Sequence, residues 1–157
     1  MKRALVTASL VLLLLAGLSA LGLGCNKATG GGSFISYDPY DEADIRLTVG
    51  FNAQPTDGDT AKGEFQVIAH HLDNSVTRVR GTFEGTADGQ DRNEAEFWGT
   101  CSVNGQDGYD LYAYFLDEGQ PGTWDWVYVR VSNSGGAYYE WWGTLRSGNI
   151  QVHKAKG

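Results

Sequence analysis

The sequence predicts an all-β domain, an antiparallel β-sandwich of about eight strands with a jelly-roll-like order. Two observations carry that expectation. From residue 44 onward apolar and polar residues alternate with a period of two, which gives each run one core face and one outer face. Glycine-containing turn signals then punctuate the alternation at strand-length intervals, and no helical periodicity of useful length follows the first 24 residues.

The elements follow in order. Ile45, Leu47, Val49 and Phe51 alternate with Asp44, Arg46, Thr48 and Gly50. Phe65, Val67 and Ala69 form the next core face, and Val79 and Phe83 the third. Ala95, Phe97, Cys101 and Val103 oppose Glu94, Glu96, Trp98, Thr100 and Ser102. Leu111, Ala113 and Phe115 oppose Asp110, Tyr112 and Tyr114, and Val127, Val129 and Val131 oppose Trp126, Tyr128 and Arg130. A seventh strand is expected near residues 137–145 and an eighth at 149–154. Asp57-Gly58, Asp88-Gly89, Asn104-Gly105, Pro121-Gly122 and Ser147-Gly148 are among the turns, where glycine supplies the positive φ.

Ahead of this domain, residues 1–24 read as a signal peptide. Lys2 and Arg3 precede an apolar run that closes on the small residues of Ser19-Ala20-Leu21-Gly22. Cys25 follows directly, as in a lipoprotein signal whose cysteine thiol receives a diacylglycerol. Gly22 stands where such signals usually carry leucine, so a plainly cleaved secretion signal and an uncleaved membrane anchor stay open beside the lipoprotein reading. Residues 25–43 are read as the lipidation site and a flexible tether, because Gly30, Gly31, Gly32 and Ser33 show no apolar period. The domain proper is then 44–157.

Composition narrows the function classes. The chain of 157 residues carries a formal charge of −7, and loss of the leader removes Lys2 and Arg3, leaving −9 over residues 25–157. Such acidity disfavours nucleic-acid binding, which relies on basic groups meeting phosphates. Only 2 cysteines are present, too few for a disulfide scaffold. The 19 aromatic residues and 22 glycines, the latter without a triplet period, exclude both disorder and a collagen-like chain.

Several motifs resemble those of the bacterial post-choice-of-anchor β-domain. The first is Leu47-Thr-Val-Gly-Phe-Asn-Ala-Gln54, and the second is Gly99-Thr-Cys-Ser-Val-Asn-Gly105 before the Tyr109-led strand. Asp117, Asp125 with Val127–Val131, Tyr139 and the closing Gly148-Asn-Ile-Gln-Val-His-Lys154 complete the series in order. The chain departs from the family at Tyr128, where a basic residue is usual, and at Glu140-Trp141, where Asp-Asn is usual. The resemblance implies an extracytoplasmic β-domain with no established catalysis.

The residues themselves offer few catalytic groups. His70 and His71 are adjacent on a strand and point to opposite faces, so with His153 they make a poor zinc set, and no metal is assigned. Cys101 falls on a core face, as a small apolar group would, and could pair with Cys25 only if Cys25 carries no lipid. Glu94 and Glu96 share an outer face beside Trp98, a glycosidase-like pair in principle and a solvated acidic face in the plainer reading. Asp57-Gly58-Asp59 and Asp88-Gly89-Gln90-Asp91 place carboxylates in loops without a full calcium pattern.

Aromatic side chains are the most informative feature. Trp98, Tyr112, Tyr114, Trp126 and Tyr128 all fall on outer faces by strand parity, and Trp124 shares that parity. Flat rings on a rigid sheet stack on sugars or form the centre of a protein interface, unless they simply stabilise the sheet as cross-strand pairs. The expectation is therefore a cell-envelope or secreted binding module without cofactor or catalysis. It would be held at the membrane through Cys25, with a polysaccharide or an envelope protein as partner on Trp98, Tyr112, Tyr114, Trp124, Trp126 and Tyr128. The alternative is an assembly protein that uses the same face as a subunit contact.

Overall fold

The computed structural model describes residues 26–87, 91 and 93–154; the leader and Cys25 lie outside the described residues. Eight strands run β1 Lys27–Asp38, β2 Ala43–Pro55, β3 Ala61–His70, β4 Val76–Thr86, β5 Glu94–Val103, β6 Gln106–Leu116, β7 Trp126–Ser132 and β8 Tyr138–His153. A single 3₁₀ turn, Gly122–Trp124, interrupts the β6–β7 connection. Each strand pairs antiparallel with its sequence neighbours, and β1 pairs with β8, so the sheet closes on itself as an up-and-down barrel.

The all-β, antiparallel, eight-strand character of the expectation is present, whereas its sandwich layering is not. The reason is that alternation records which face a residue takes, and a closed barrel and a two-sheet sandwich share the same alternation. What separates them is the long-range pairing of β1 with β8, which joins Lys27 to His153 in register.

β1 is also where the expected tether gives way. Residues 27–38 form a full strand, with Ala28 and Phe34 completely buried in the interior. Its glycines do not loosen the chain; they let three backbones approach closely. A methyl group on Gly32 would lie 2.0 Å from the Ser147 carbonyl oxygen, and one on Gly148 would lie 2.1 Å from the Gly31 carbonyl oxygen. Gly148 adds a φ of +102°, which L side chains rarely adopt. The strands expected at 137–145 and 149–154 are one element, β8, whose register with β1 shifts between Ser33 and Phe34.

The interior is filled by the predicted core faces. Phe51 and Phe115 stack across the barrel with ring centroids 3.6 Å apart, and Phe83 meets Phe65, Phe97 and Phe115 at 5.9, 5.1 and 6.4 Å. Trp141 is buried with its ring against Tyr139, and its indole Nε1 donates to the carboxylate of the equally buried Asp38 at 3.0 Å. Outward positions carry Arg46, Glu64, Arg78, Arg80, Asp110 and Arg146, all exposed. Apolar inside and charged outside is the reverse of a membrane-spanning barrel, whose outward band is apolar. Function is therefore sought on the outer wall.

Two carboxylates, the buried Asp125 and the half-buried Asp117, fix the β6–β7 connection to β8. Asp125 accepts the backbone N–H of Glu118 at 3.0 Å and that of Ile150 at 2.6 Å. Asp117 accepts those of Gly119 at 2.9 Å and Val152 at 3.0 Å. Residues far apart in the sequence, Asp117 and Asp125 on one side and Ile150 and Val152 on the other, thus meet at one end of the barrel.

Candidate functional site

Strands β5 to β8 turn one continuous aromatic wall outward. Register places Trp98 beside Tyr112, Tyr112 beside Arg130 and Arg130 beside Glu140. One pleat further along, Glu96, Tyr114, Tyr128 and Trp142 form a second row, and Glu94, Leu116, Trp126 and Thr144 a third. The rings touch across these rows. Tyr112 and Tyr128 meet edge-on at 5.8 Å and 77°, Tyr114 and Trp126 at 5.8 Å and 69°, while Trp126 and Tyr128 lie near parallel at 6.2 Å and 22°.

Each tyrosine hydroxyl on the wall is held by a glutamate. Tyr128 donates to Glu140. The hydroxyl of Tyr112 is bonded to Glu96, and that of Tyr114 to Glu94. Burial first, then the bond to Glu96 and its charge, pushes the Tyr112 phenol up to about 12, with Arg130 opposing. Burial followed by the neighbouring carboxylate likewise raises Tyr114 and Tyr128. The Arg130 guanidinium carbon sits 5.0 Å from the Tyr112 ring centroid, a cation–π contact. These bonds hold the ring orientations in place.

Exposure separates the wall into a fixed centre and open margins. Tyr112, Tyr114, Trp126 and Tyr128 are half-buried against one another, whereas Trp98 is 39% and Trp142 45% exposed. Trp98 lies flat over β4, where Gly85 leaves room; a methyl group there would fall 2.1 Å from the indole Nε1. Trp124 is 72% exposed on the 3₁₀ turn and has no ring contact with the wall among the described residues. Of the six rings singled out by parity, Tyr112, Tyr114, Trp126 and Tyr128 are in ring contact, Trp98 stands beside Tyr112 by register, and Trp124 stands apart.

Adjoining the wall is an open groove of about 1210 Å³ on the outer surface of β2 to β6. One row of its lining is Gly50, Gln66, Arg80 and Ser102, and the next is Asn52, Glu64, Thr82, Thr100 and Asp110. The side chains of these rows are hydroxyl, amide and charged, and Val49, Phe51, Phe65, Ile68, Cys101 and Tyr109 add apolar lining.

The remaining candidates take structural places. His71 is bonded through Nδ1 to Asp41 at 2.9 Å and through Nε2 to Thr77 at 2.8 Å, joining the β1–β2 and β3–β4 turns. Burial, then Arg46, Arg78 and His71, holds His70 below the ordinary imidazole value, and His153 lies exposed at the end of β8. No group of three or more metal-ligating side chains occurs among the described residues. Cys101 is a buried free thiol that burial, with Asp110 nearby, pushes up to about 12, far from a reactive thiolate. Glu94 and Glu96, the glycosidase-like pair, are the ring anchors just described. In the first acidic loop the Asp57 carbonyl accepts from the Thr60 N–H and hydroxyl, while residues 88–90 of the second lie outside the described residues.

No family model, curated protein or solved structure matches the chain. Trp142 and the groove are the parts that the sequence reading passed over. Trp142 has the parity of Glu140 and Thr144, and Trp141 that of Tyr139 and Leu145, so the alternation already assigns one to the wall and the other to the core. The groove has no such signal, since its polar and apolar lining residues are brought side by side only by register.

Proposed function

We propose that this protein is a non-catalytic, exported β-barrel module that binds a glycan on its aromatic outer wall and is held at the cell envelope through Cys25. The leader, Cys25 and the resemblance to the post-choice-of-anchor β-domain support the location. The observation that carries the binding is the pair of exposed indoles, Trp98 and Trp142, at the margins of rings already fixed by Glu94, Glu96 and Glu140. Stacking supplies affinity, and the carboxylates and Arg130 supply hydrogen-bonding partners for sugar hydroxyls around it.

The test is tryptophan fluorescence of the full-length protein, titrated with a panel of neutral oligosaccharides. Binding is expected to quench emission. Trp98→Ala and Trp142→Ala should each weaken it about tenfold, the equivalent of one lost stacking contact. Unchanged affinity in both variants removes the wall as the site.

A second reading, the wall as a subunit contact, draws on the edge-on packing of Tyr112 and Tyr114 against Tyr128 and Trp126, a tightly packed aromatic patch on the outer face. Size-exclusion chromatography separates the two. The assembly reading requires oligomers that Trp98→Ala dissociates, and the glycan reading requires the same elution volume before and after that substitution.

A further inference from the structure

The groove and the aromatic wall are continuous. Thr100 and Trp98 leave the same face of β5 one pleat apart, so the polar row ending at Thr100 and Asp110 lies directly beside the row of Trp98, Tyr112 and Arg130. The groove spans β2 to β6, four strand spacings or about 19 Å. That is more than a disaccharide covers. Its single arginine, Arg80, shares the lining with Glu64, Asp107 and Asp110 and with the hydroxyls and amides of Thr82, Ser102 and Gln66, beside the apolar Phe51, Phe65 and Ile68, a mixed surface without an excess of positive charge. Such a surface suits neutral, hydroxyl-rich ligands and repels polyanions. Barrel closure bears on the occupant as well. Every strand among the described residues is paired on both sides, which leaves an extended peptide no free edge there to join as a strand.

We infer, resting on the glycan reading of the wall, that the ligand is a neutral oligosaccharide chain of several units that lies along the groove and ends on the wall. Its hydroxyls bond to Arg80, Gln66 and Thr82, and a terminal unit stacks on Trp98. The wall supplies the anchor and the groove supplies preference for length. Affinity in this arrangement grows with chain length until the groove is filled, because each further unit meets new hydroxyl and amide partners.

The experiment measures binding of the full-length protein to two-unit and six-unit neutral oligomers of glucose, mannose, galactose and N-acetylglucosamine. In at least one series the six-unit chain is expected to bind at least tenfold tighter than the two-unit one. The double variant Arg80→Ala, Gln66→Ala should abolish that gain and leave two-unit binding unchanged. Thr82→Ala, the loss of one hydroxyl at the surface, should reduce the gain part-way. Equal affinity for both lengths, or a double variant that retains the gain, overturns the chain-binding groove and leaves the wall as a single-unit site. Failure of every oligomer to bind the unaltered protein overturns the glycan reading itself, and the groove assignment with it.

Discussion

A glutamate opposite each wall tyrosine makes the barrel's exterior sensitive to alkali. Tyr112 is pushed up to about 12 by burial and by Glu96, so the folded state retains the phenolic proton that the unfolded chain releases near pH 10. A raised folded-state value gives stability that is fully present below the unfolded value and is lost as pH climbs through about 12. Denaturant melts at about pH 9 and about pH 11 should therefore show a drop that Tyr112→Phe lessens. Absorbance at the phenolate band should show Tyr114 and Tyr128 titrating late as well. Inside the barrel the carboxylates do different work. Asp125 is wholly buried and holds two backbone N–H groups, so Asp125→Ala strands both donors and should cost about 3 kcal/mol in chemical denaturation. Asp125→Asn keeps one acceptor oxygen and should cost less.

Among the elements, the seam between β1 and β8 depends most on what its residues lack. Gly148 combines a positive φ with a backbone contact that a methyl group cannot enter, and Gly148→Ala should lower stability by about 2 kcal/mol or more, measured by thermal melting. Gly81 is similarly tight against Thr100 and Cys101, whereas the position of Gly50 is open and Gly50→Ala serves as the tolerant control. The same seam shows where sequence reading ends. Alternation is a local property, so Ile45 to Phe51 or Leu111 to Phe115 declare their buried face without reference to any other strand. It placed Trp98, Tyr112, Tyr114, Trp126 and Tyr128 outward in the same way. Register is not local. Nothing in Tyr114 alone says that Tyr128 is its neighbour, and nothing in Gly30-Gly31-Gly32 distinguishes a tether from a strand pressed between two backbones. Glycine composition reads as flexibility in isolation and as close approach in context.

At the scale of the whole molecule, closure is what makes an outer wall usable. The interior is filled with rings and branched side chains, and among the described residues the strands have no free edges, so the barrel presents only its exterior side chains. Closure in turn rests on β1, which supplies partners to Ala43–Ala53 on one side and to Leu145–His153 on the other. A protein beginning at residue 44 would lose Ala28 and Phe34 from the core and leave β2 and β8 as exposed edges. Such a chain should fail to give a cooperative thermal transition and should aggregate, while a chain beginning at residue 26 should melt in one cooperative transition. Phe34→Ala in the longer chain gives a graded version, with an expected loss of about 3–5 kcal/mol from the buried ring. If residues 26–43 were only a spacer, the two truncated chains would melt at one temperature and Phe34→Ala would be silent. Equal melting of the two would therefore remove β1 from the barrel and leave β2 and β8 as open edges.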